Sequence, residues 1–404
     1  MSRVERSILS VNAGSSSLKF SLFRVAAGLE RSAAGSYAAI GLPDARCELR
    51  LEPGASRETL AAGMTHAGCL AHLVRRLERE GAAAGLVGVG HRIVHGGPER
   101  AAPARVDADL LRELAALRPL APEHLPPALE LIEALARQWP GLPQVACFDT
   151  AFHRDLPRVA RMLPIPRRYE AQGIRRYGFH GLSYEYLMQE LARAGDPAAA
   201  RGRVILAHLG NGASLAAVRD GRCVDTSMAL TPASGLVMSR RSGDLDPGLA
   251  AHLARSESMG AEQFFALVTQ QSGLLGVSEL SSDLRELLAL EAADARAAEA
   301  IALFCYQARK WIGAFAAALG GLDTLVFTGG IGENSAAIRE RICSDLGFLG
   351  IELDAGANAR HAARISPAAS RVALRVIPTD EELMLARSVA RVLGLGALAR
   401  APAS

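Results

Sequence analysis

The stretch ILSVNAGSSSLKFSLF (residues 8–23) sets two short β-rich runs, Ile8–Val11 and Leu18–Phe23, on either side of a turn. The turn holds Asn12, Ala13, Gly14 and three successive serines, which is the composition of a hairpin rather than a helix. With Ser15, Ser17 and Lys19 beside it, the turn offers backbone and hydroxyl donors, little bulk and one positive charge, as a phosphate requires. An ordinary serine-rich hairpin has the same composition. It is not a Walker A loop, because its glycine and lysine spacing differs and a strand follows it. The same device recurs at VILAHLGNGASLAAVRDGR (residues 204–222), where a small-residue turn of Gly210, Asn211, Gly212 and Ser214 again separates two apolar runs. One gap aligns the two stretches, so each half of the chain is expected to open on the same hairpin, with a ligand between the halves.

Working outward, 404 residues exceed what one hydrophobic core usually fills, and two domains are expected. Half of the residues are hydrophobic and 22% are charged, enough apolar material for large cores. The net charge of +3 is small and the arginines are dispersed, which argues against nucleic acid or an anionic membrane as partner. Six cysteines form no CxxC pair and read as reduced, partly buried thiols of a cytoplasmic protein. The N-terminal apolar run is too short for a signal peptide, and no stretch approaches the ~18 apolar residues of a membrane span.

The pattern predicts a strand near Cys47–Leu51, a helix from Met64 to Glu80 and a strand Leu86–Val89 that runs into an irregular segment carrying Arg92. Asp107 is expected to cap one helix and Pro127 to open another. Val145–Phe148 reads as a buried strand ending at Asp149, and Ser183 as the cap of a helix after Phe179-His180-Gly181. A long irregular stretch around Arg241, a long helix Ala297–Leu319 and a strand Thr324–Thr328 follow. The strand enters a glycine turn, with a helix expected from Asn334 or Ser335, which is a natural seat for a nucleotide. A strand Arg371–Ile377 and a helix from Asp380 close the chain. Alternating strands and helices make the fold class α/β.

The segments NAGSSSLKF (12–20), HRIVHGG (91–97), FDTAFH (148–153), YGFHGLS (177–183), HLGNGAS (208–214), RSGDLDPG (241–248), SSDLR (281–285), FTGGIGEN (327–334) and PTDEEL (378–383) together resemble the acetate kinase family, in that family's order and over nearly the whole chain. The resemblance implies two duplicated ribonuclease-H-like domains, the ATPase fold of actin, hexokinase and Hsp70, with an interdomain cleft. It implies an N-terminal domain of residues 1–149 plus 384–404 and a nucleotide-binding domain of residues 150–383. It also implies reversible phosphoryl transfer between ATP and acetate, with magnesium (or manganese), in a homodimer. Propionate or butyrate kinase is the alternative within the family, and a nucleotide-gated ATPase or interaction protein is the alternative outside it.

Carried over by the same resemblance, Arg92, Asp149, His180 and Arg241 are the catalytic candidates, supported by His124 and His208. Guanidinium suits the carboxylate and the moving phosphoryl group because its planar fork pairs two oxygens. Asp149 is expected to orient Arg92 rather than take a proton, because a carboxylate nucleophile is already ionised at neutral pH; a turn cap is the competing reading. Asn12 and Glu381 match the magnesium neighbourhood, although Thr379 and Glu382 also fit a capping box there. Lys19, His208, Asn211, Gly212, Asp283, Leu284, Arg285, Gly330, Ile331, Gly332 and Asn334 match the nucleotide site, with Ser214 beside the phosphates. Val94, Phe179 and Pro232 match the acyl pocket. The chain departs from the family pattern at Glu123 and Leu125, which flank His124, at Asp380 and at Glu279, which stands where the family has glycine.

Overall fold

In a computed structural model, which describes residues 5–14, 16–51 and 54–395, the chain divides into two compact units. The first comprises residues 1–152, 181–183 and 380–404, and the second residues 153–180 and 184–379. A boundary at 383/384 would cut the helix Glu381–Val392 after its first turn; the change of unit falls at Asp380, the residue that caps that helix.

The first unit is built on an eight-stranded sheet of β1 (Ser7–Ala13), β2 (Leu18–Val25), β3 (Leu29–Ala38), β4 (Arg46–Leu51), β5 (Gly54–Thr59), β6 (Leu86–Ile93), β7 (Ala104–Arg105) and β8 (Gln144–Phe148). Its spatial order is β5-β4-β3-β2-β1-β6-β8-β7. The expected hairpin is present, with β1 antiparallel to β2 and Asn12 opposite Lys19. Gly14 N–H donates to the Ser17 carbonyl at 2.8 Å to close the turn, while Ser15 lies outside the described residues. Every residue of β1 is buried, as expected of a strand covered on both faces. The stretch after the hairpin forms three strands where the pattern suggested one, because β3 and β5 carry the Ala-, Ser- and Arg-rich composition of half-exposed sheet rather than apolar alternation.

The second unit carries a five-stranded sheet of β9 (Arg203–Leu209), β10 (Ala213–Arg219), β11 (Arg222–Thr226), β12 (Thr324–Thr328) and β13 (Ala373–Val376), in the order β11-β10-β9-β12-β13. In both sheets a strand and its two successors form an antiparallel meander, and two later strands extend the sheet in parallel beyond the first: β6 and then β8 after β1, and β12 and then β13 after β9. The recurrence of the hairpin motif in the sequence is therefore a recurrence of topology.

The expected helices form with local reasons for their ends. Thr65 Oγ1 caps His66–Arg79, which buries Cys69, Leu70, Leu73, Val74 and Leu77. Asp107 caps Ala108–Ala116, and Gly320 ends Ala295–Leu319 in the left-handed conformation. In the first unit the helix Glu381–Val392 lies against β6 at Gly88 and Gly90, where a Cβ on Gly90 would come within 2.9 Å of Val389 and 3.2 Å of the Leu385 carbonyl. That close approach brings the N-terminus of the helix to the edge of the sheet. All six cysteines are buried and outside any disulfide, and among the described residues no helix is long and apolar enough to cross a membrane.

Candidate active site

In the first unit, three parallel strands end at one edge of the sheet, which is where open α/β sheets present binding groups. Asn12 is the penultimate residue of β1, Arg92 that of β6, and Asp149 follows β8. Arg92 thus belongs to a regular strand, whose apolar alternation is hidden by the run of histidine and arginine, and not to the irregular segment expected. The fully buried Asp149 carboxylate accepts from Arg92 Nε at 3.1 and 3.0 Å and from Nη2 at 2.6 Å. Arg92 Nη1 donates to Asn12 Oδ1 at 3.1 Å, and Asn12 Nδ2 donates to Glu381 at 2.9 Å and to Glu382 at 3.3 Å. Burial alone would push the Arg92 guanidinium down, but Asp149 and the two glutamates outweigh it and hold it above its ordinary value. Glu382 was absent from the expected set; its position beside Glu381 was the available signal. Burial pushes its carboxyl up, Glu381 adds to this, and Lys19 opposes it.

Asp380 caps the helix Glu381–Val392, accepting from Leu383 N–H, and takes the Arg31 guanidinium at 2.5 and 2.6 Å. The cap is therefore Asp380 and not Thr379, and the departure from the family pattern has a local counter-ion. Ser183 does not cap its helix either, since Gly181–Arg193 begins two residues earlier, behind His180 in the left-handed conformation (φ 59°). Glycine is required at 181, because a Cβ there would stand 2.1 Å from the Asp149 carbonyl, which accepts from Gly181 N–H at 2.9 Å. His124 occupies the N-cap position of Leu125–Gln138 without capping it through its side chain. Leu125 is packed in the core with Ile93 and Phe148; Val94 is buried and Glu123 half-buried.

In the second unit, Gly212 sits in the β9–β10 turn between two candidate groups. An added Cβ would lie 3.3 Å from His180 Nε2 and 3.5 Å from Arg241 Nη1. The His180 ring stacks on His208 with centroids 4.2 Å apart. His180 Nδ1 is 2.8 Å from Ser214 Oγ, which also bonds the Tyr184 hydroxyl at 2.5 Å. Ser214 is fully buried, and its hydroxyl is bonded to both His180 and Tyr184. Tyr184 itself, one helical turn beyond His180, was missed. Arg241 Nη1 donates to the Pro232 carbonyl at 3.2 Å, and Asn211 is fixed by Ser239, whose N–H donates to its carbonyl at 3.2 Å. Phe179 is buried, its carbonyl accepting from His153 Nε2 at 2.9 Å.

The glycine turn after β12 is itself helical: Gly329–Asn334 forms one short helix and Ala336–Cys343 the next. Glu333 folds back to accept from Gly329 N–H, Thr328 Oγ1 and Thr379 N–H at 2.8, 3.2 and 3.1 Å. Gly332 is buried, Gly330 is open, and Asn334 Nδ2 donates to the Gly330 carbonyl. Asp283 caps Leu284–Leu290 and receives the Arg285 side chain, which holds its carboxyl below the ordinary value. Leu284 points into the core, so only its backbone remains available to a ligand.

The donor chemistry in the first unit fits magnesium. Glu381 and Glu382 converge on one amide, and hard carboxylate oxygens suit a small divalent cation. Among the described residues no group of three or more histidine, cysteine or acidic side chains is arranged to hold a metal alone. Magnesium needs no such cage, because it keeps waters and is completed by substrate phosphates.

Comparisons with known proteins show which family the chain resembles over its length. A model of the Acetokinase family matches residues 7–387. The acetate kinase of Rhodopseudomonas palustris is 50% identical over 309 residues, covering 76% of this chain and 77% of that protein. The propionate kinase of Citrobacter rodentium is 43% identical over 400 residues, 98% of either chain. Among solved structures, a propionate kinase from Francisella tularensis superposes with a TM-score of 0.90 at 35% identity, covering 96% of this chain and 100% of that one.

Proposed function

Because this chain belongs to the acetokinase family and shares its duplicated ATPase fold, we propose that it is a carboxylate kinase. It transfers the γ-phosphoryl group of ATP directly and reversibly to acetate, giving acetyl phosphate and ADP. The observation that carries the reading is the Arg92 guanidinium, fixed by Asp149 and Asn12 at the ends of parallel strands. Those bonds engage three of its five N–H groups, and Nη1 also lies 3.8 Å from Glu381.

The carboxylate attacks γ-phosphorus, the bond from phosphorus to the ADP oxygen breaks, and ADP leaves with that electron pair. No proton moves, since the nucleophile is ionised at neutral pH. In this scheme Asp149 orients Arg92, and Arg241 and His180 stabilise the equatorial oxygens, with His208 stacked behind and His124 in support. Asn211, Gly212 and Lys19 face the phosphates, Asp283, Arg285 and Gly330–Asn334 the adenosine, and Val94, Phe179 and Pro232 the acyl group. Glu381, with Asn12, would hold magnesium, or manganese in its place, which would supply positive charge to offset that of the phosphates. The resemblance further supports a cytoplasmic homodimer.

Propionate is the second reading, favoured by the full-length similarity to a propionate kinase. One methylene changes selectivity only about 10–200-fold, so the acids differ in degree. Purified protein with ATP, magnesium and acetate is expected to form acyl phosphate, trapped as its hydroxamate. Higher kcat/KM with propionate or butyrate would replace acetate as the substrate. No product from any of the three, with acid-independent ATP hydrolysis, would overturn the carboxylate kinase reading.

A further inference from the structure

Arg339, on the helix Ala336–Cys343, is the largest fully buried side chain among the described residues and takes no part in the scheme above. Its hydrogen bonds go to carbonyl and amide oxygens rather than to a carboxylate, its Nη2 also lies 3.2 Å from His361 Nδ1, and burial pushes its guanidinium below the ordinary value. A buried charge held without a counter-ion is costly, so its geometry calls for a physical reason.

That reason is the break between two helices. In an unbroken helix the carbonyls of Gly332 and Glu333 would accept from the N–H groups of residues 336 and 337. The chain leaves helical geometry at Ser335 (φ −114°, ψ 92°), so both carbonyls lose those partners. Arg339 Nη1 donates to both, at 2.9 and 3.0 Å. Its Nε and Nη2 donate at 2.8 and 2.9 Å to the side-chain and main-chain oxygens of Asn358, in the helix Ala355–Ala359. Asn358 Nδ2 in turn donates to the Ala336 carbonyl at 2.9 Å. The guanidinium stands in for the missing backbone donors of the glycine helix, sharing the Glu333 carbonyl with His361 Nδ1 at 3.0 Å, and ties that helix to a second one. The glycine helix is open at Gly330, where a Cβ would meet nothing within 4 Å.

We propose that Arg339 is a positioning residue for the nucleotide. It sets the orientation of Gly329–Asn334 from the buried side and touches no substrate itself. The inference rests on the reading of Gly330–Asn334 as part of the adenosine site.

The test uses the full-length chain carrying Arg339→Lys, which keeps the charge but not the fork, and Arg339→Gln, which loses both. KM for ATP and for acetate, kcat, thermal unfolding, and ADP binding by calorimetry without acid are measured. Both variants are expected to raise the ATP KM and the ADP Kd together by about tenfold or more, with the acetate KM within about twofold of the parent. A lower unfolding temperature with unchanged ADP Kd would reduce Arg339 to a structural role and overturn the proposal. If neither variant accumulates, Asn358→Ala removes the Nε acceptor and reads the same Kd, with the same two outcomes. Gly330→Val separates the proposal from the reading beneath it. If it leaves the ADP Kd unchanged, the adenosine assignment fails and this inference with it. If it weakens ADP while the Arg339 variants do not, only the inference fails.

Discussion

Asp149 is fully buried, and three hydrogen bonds from Arg92 end on its carboxylate. Removing either partner therefore does two things. Arg92→Ala takes the guanidinium away from a buried carboxylate, which typically costs about 3–5 kcal/mol of stability, and it removes the proposed transition-state clamp. Activity of this variant is meaningful only per folded molecule. Asp149→Asn is the cleaner probe, because it keeps the shape and lets Arg92 wander from its orientation. Its kcat is expected to fall by about 100-fold or more, a loss of roughly 3 kcal/mol in transition-state stabilisation, with the fold retained by circular dichroism. A kcat within about threefold of the parent would show that Arg92 needs no orienting carboxylate.

Among the elements, the helix Gly273–Ser278 ends on Glu279, whose φ of 55° is a conformation in which glycine is unstrained. The glutamate side chain is largely exposed and reaches Arg296 at 3.4 Å, an ion pair of the kind that contributes little. Glu279→Gly is thus expected to raise stability by up to about 1 kcal/mol, read as a higher thermal midpoint, since relief of left-handed strain exceeds loss of an exposed pair. An unchanged or lower midpoint would mean that the ion pair, or the added freedom of glycine in the unfolded chain, outweighs the strain. Element boundaries were legible where a local signal marked them, as at Asp107 and Gly320, and missed where a distant partner decided. Ser183 looks like a cap, but the helix starts at Gly181 because that N–H meets the Asp149 carbonyl. The glycine stretch after Thr328 looks like a turn, but Glu333 and Arg339 close it into a helix.

Over the whole molecule, each unit buries a histidine that burial pushes down to about 4: His91, bonded to Gln144 at 2.6 Å in the first, and His153, bonded to the Phe179 carbonyl in the second. Between roughly pH 6.5 and 4 the unfolded chain holds a proton at each that the folded chain lacks, so stability rises with pH and is lost on acidification, by up to about 3 kcal/mol per histidine. Glu382 and Asp225, both pushed up by burial, act in the opposite sense. Urea midpoints are therefore expected to drop between about pH 7.5 and 5.5, and a His91→Asn, His153→Asn variant to show a flatter profile. A drop of the same size in the double variant would assign the acid sensitivity elsewhere. By itself the sequence determined the α/β class, the duplicated hairpin and the residue types of the candidate site, because these rest on periodicity, turn composition and side-chain chemistry, all local to the chain. Tertiary structure alone decided that Asp149, Asn12, Glu381 and Glu382 converge on Arg92, that the Ser214 hydroxyl is given to His180 and Tyr184, and that Arg339 is buried behind the glycine helix. Those are distances between residues as much as 370 apart in sequence, and a linear pattern carries no term for them; they are fixed only when parallel strand ends and a returning helix are brought to one edge of a sheet.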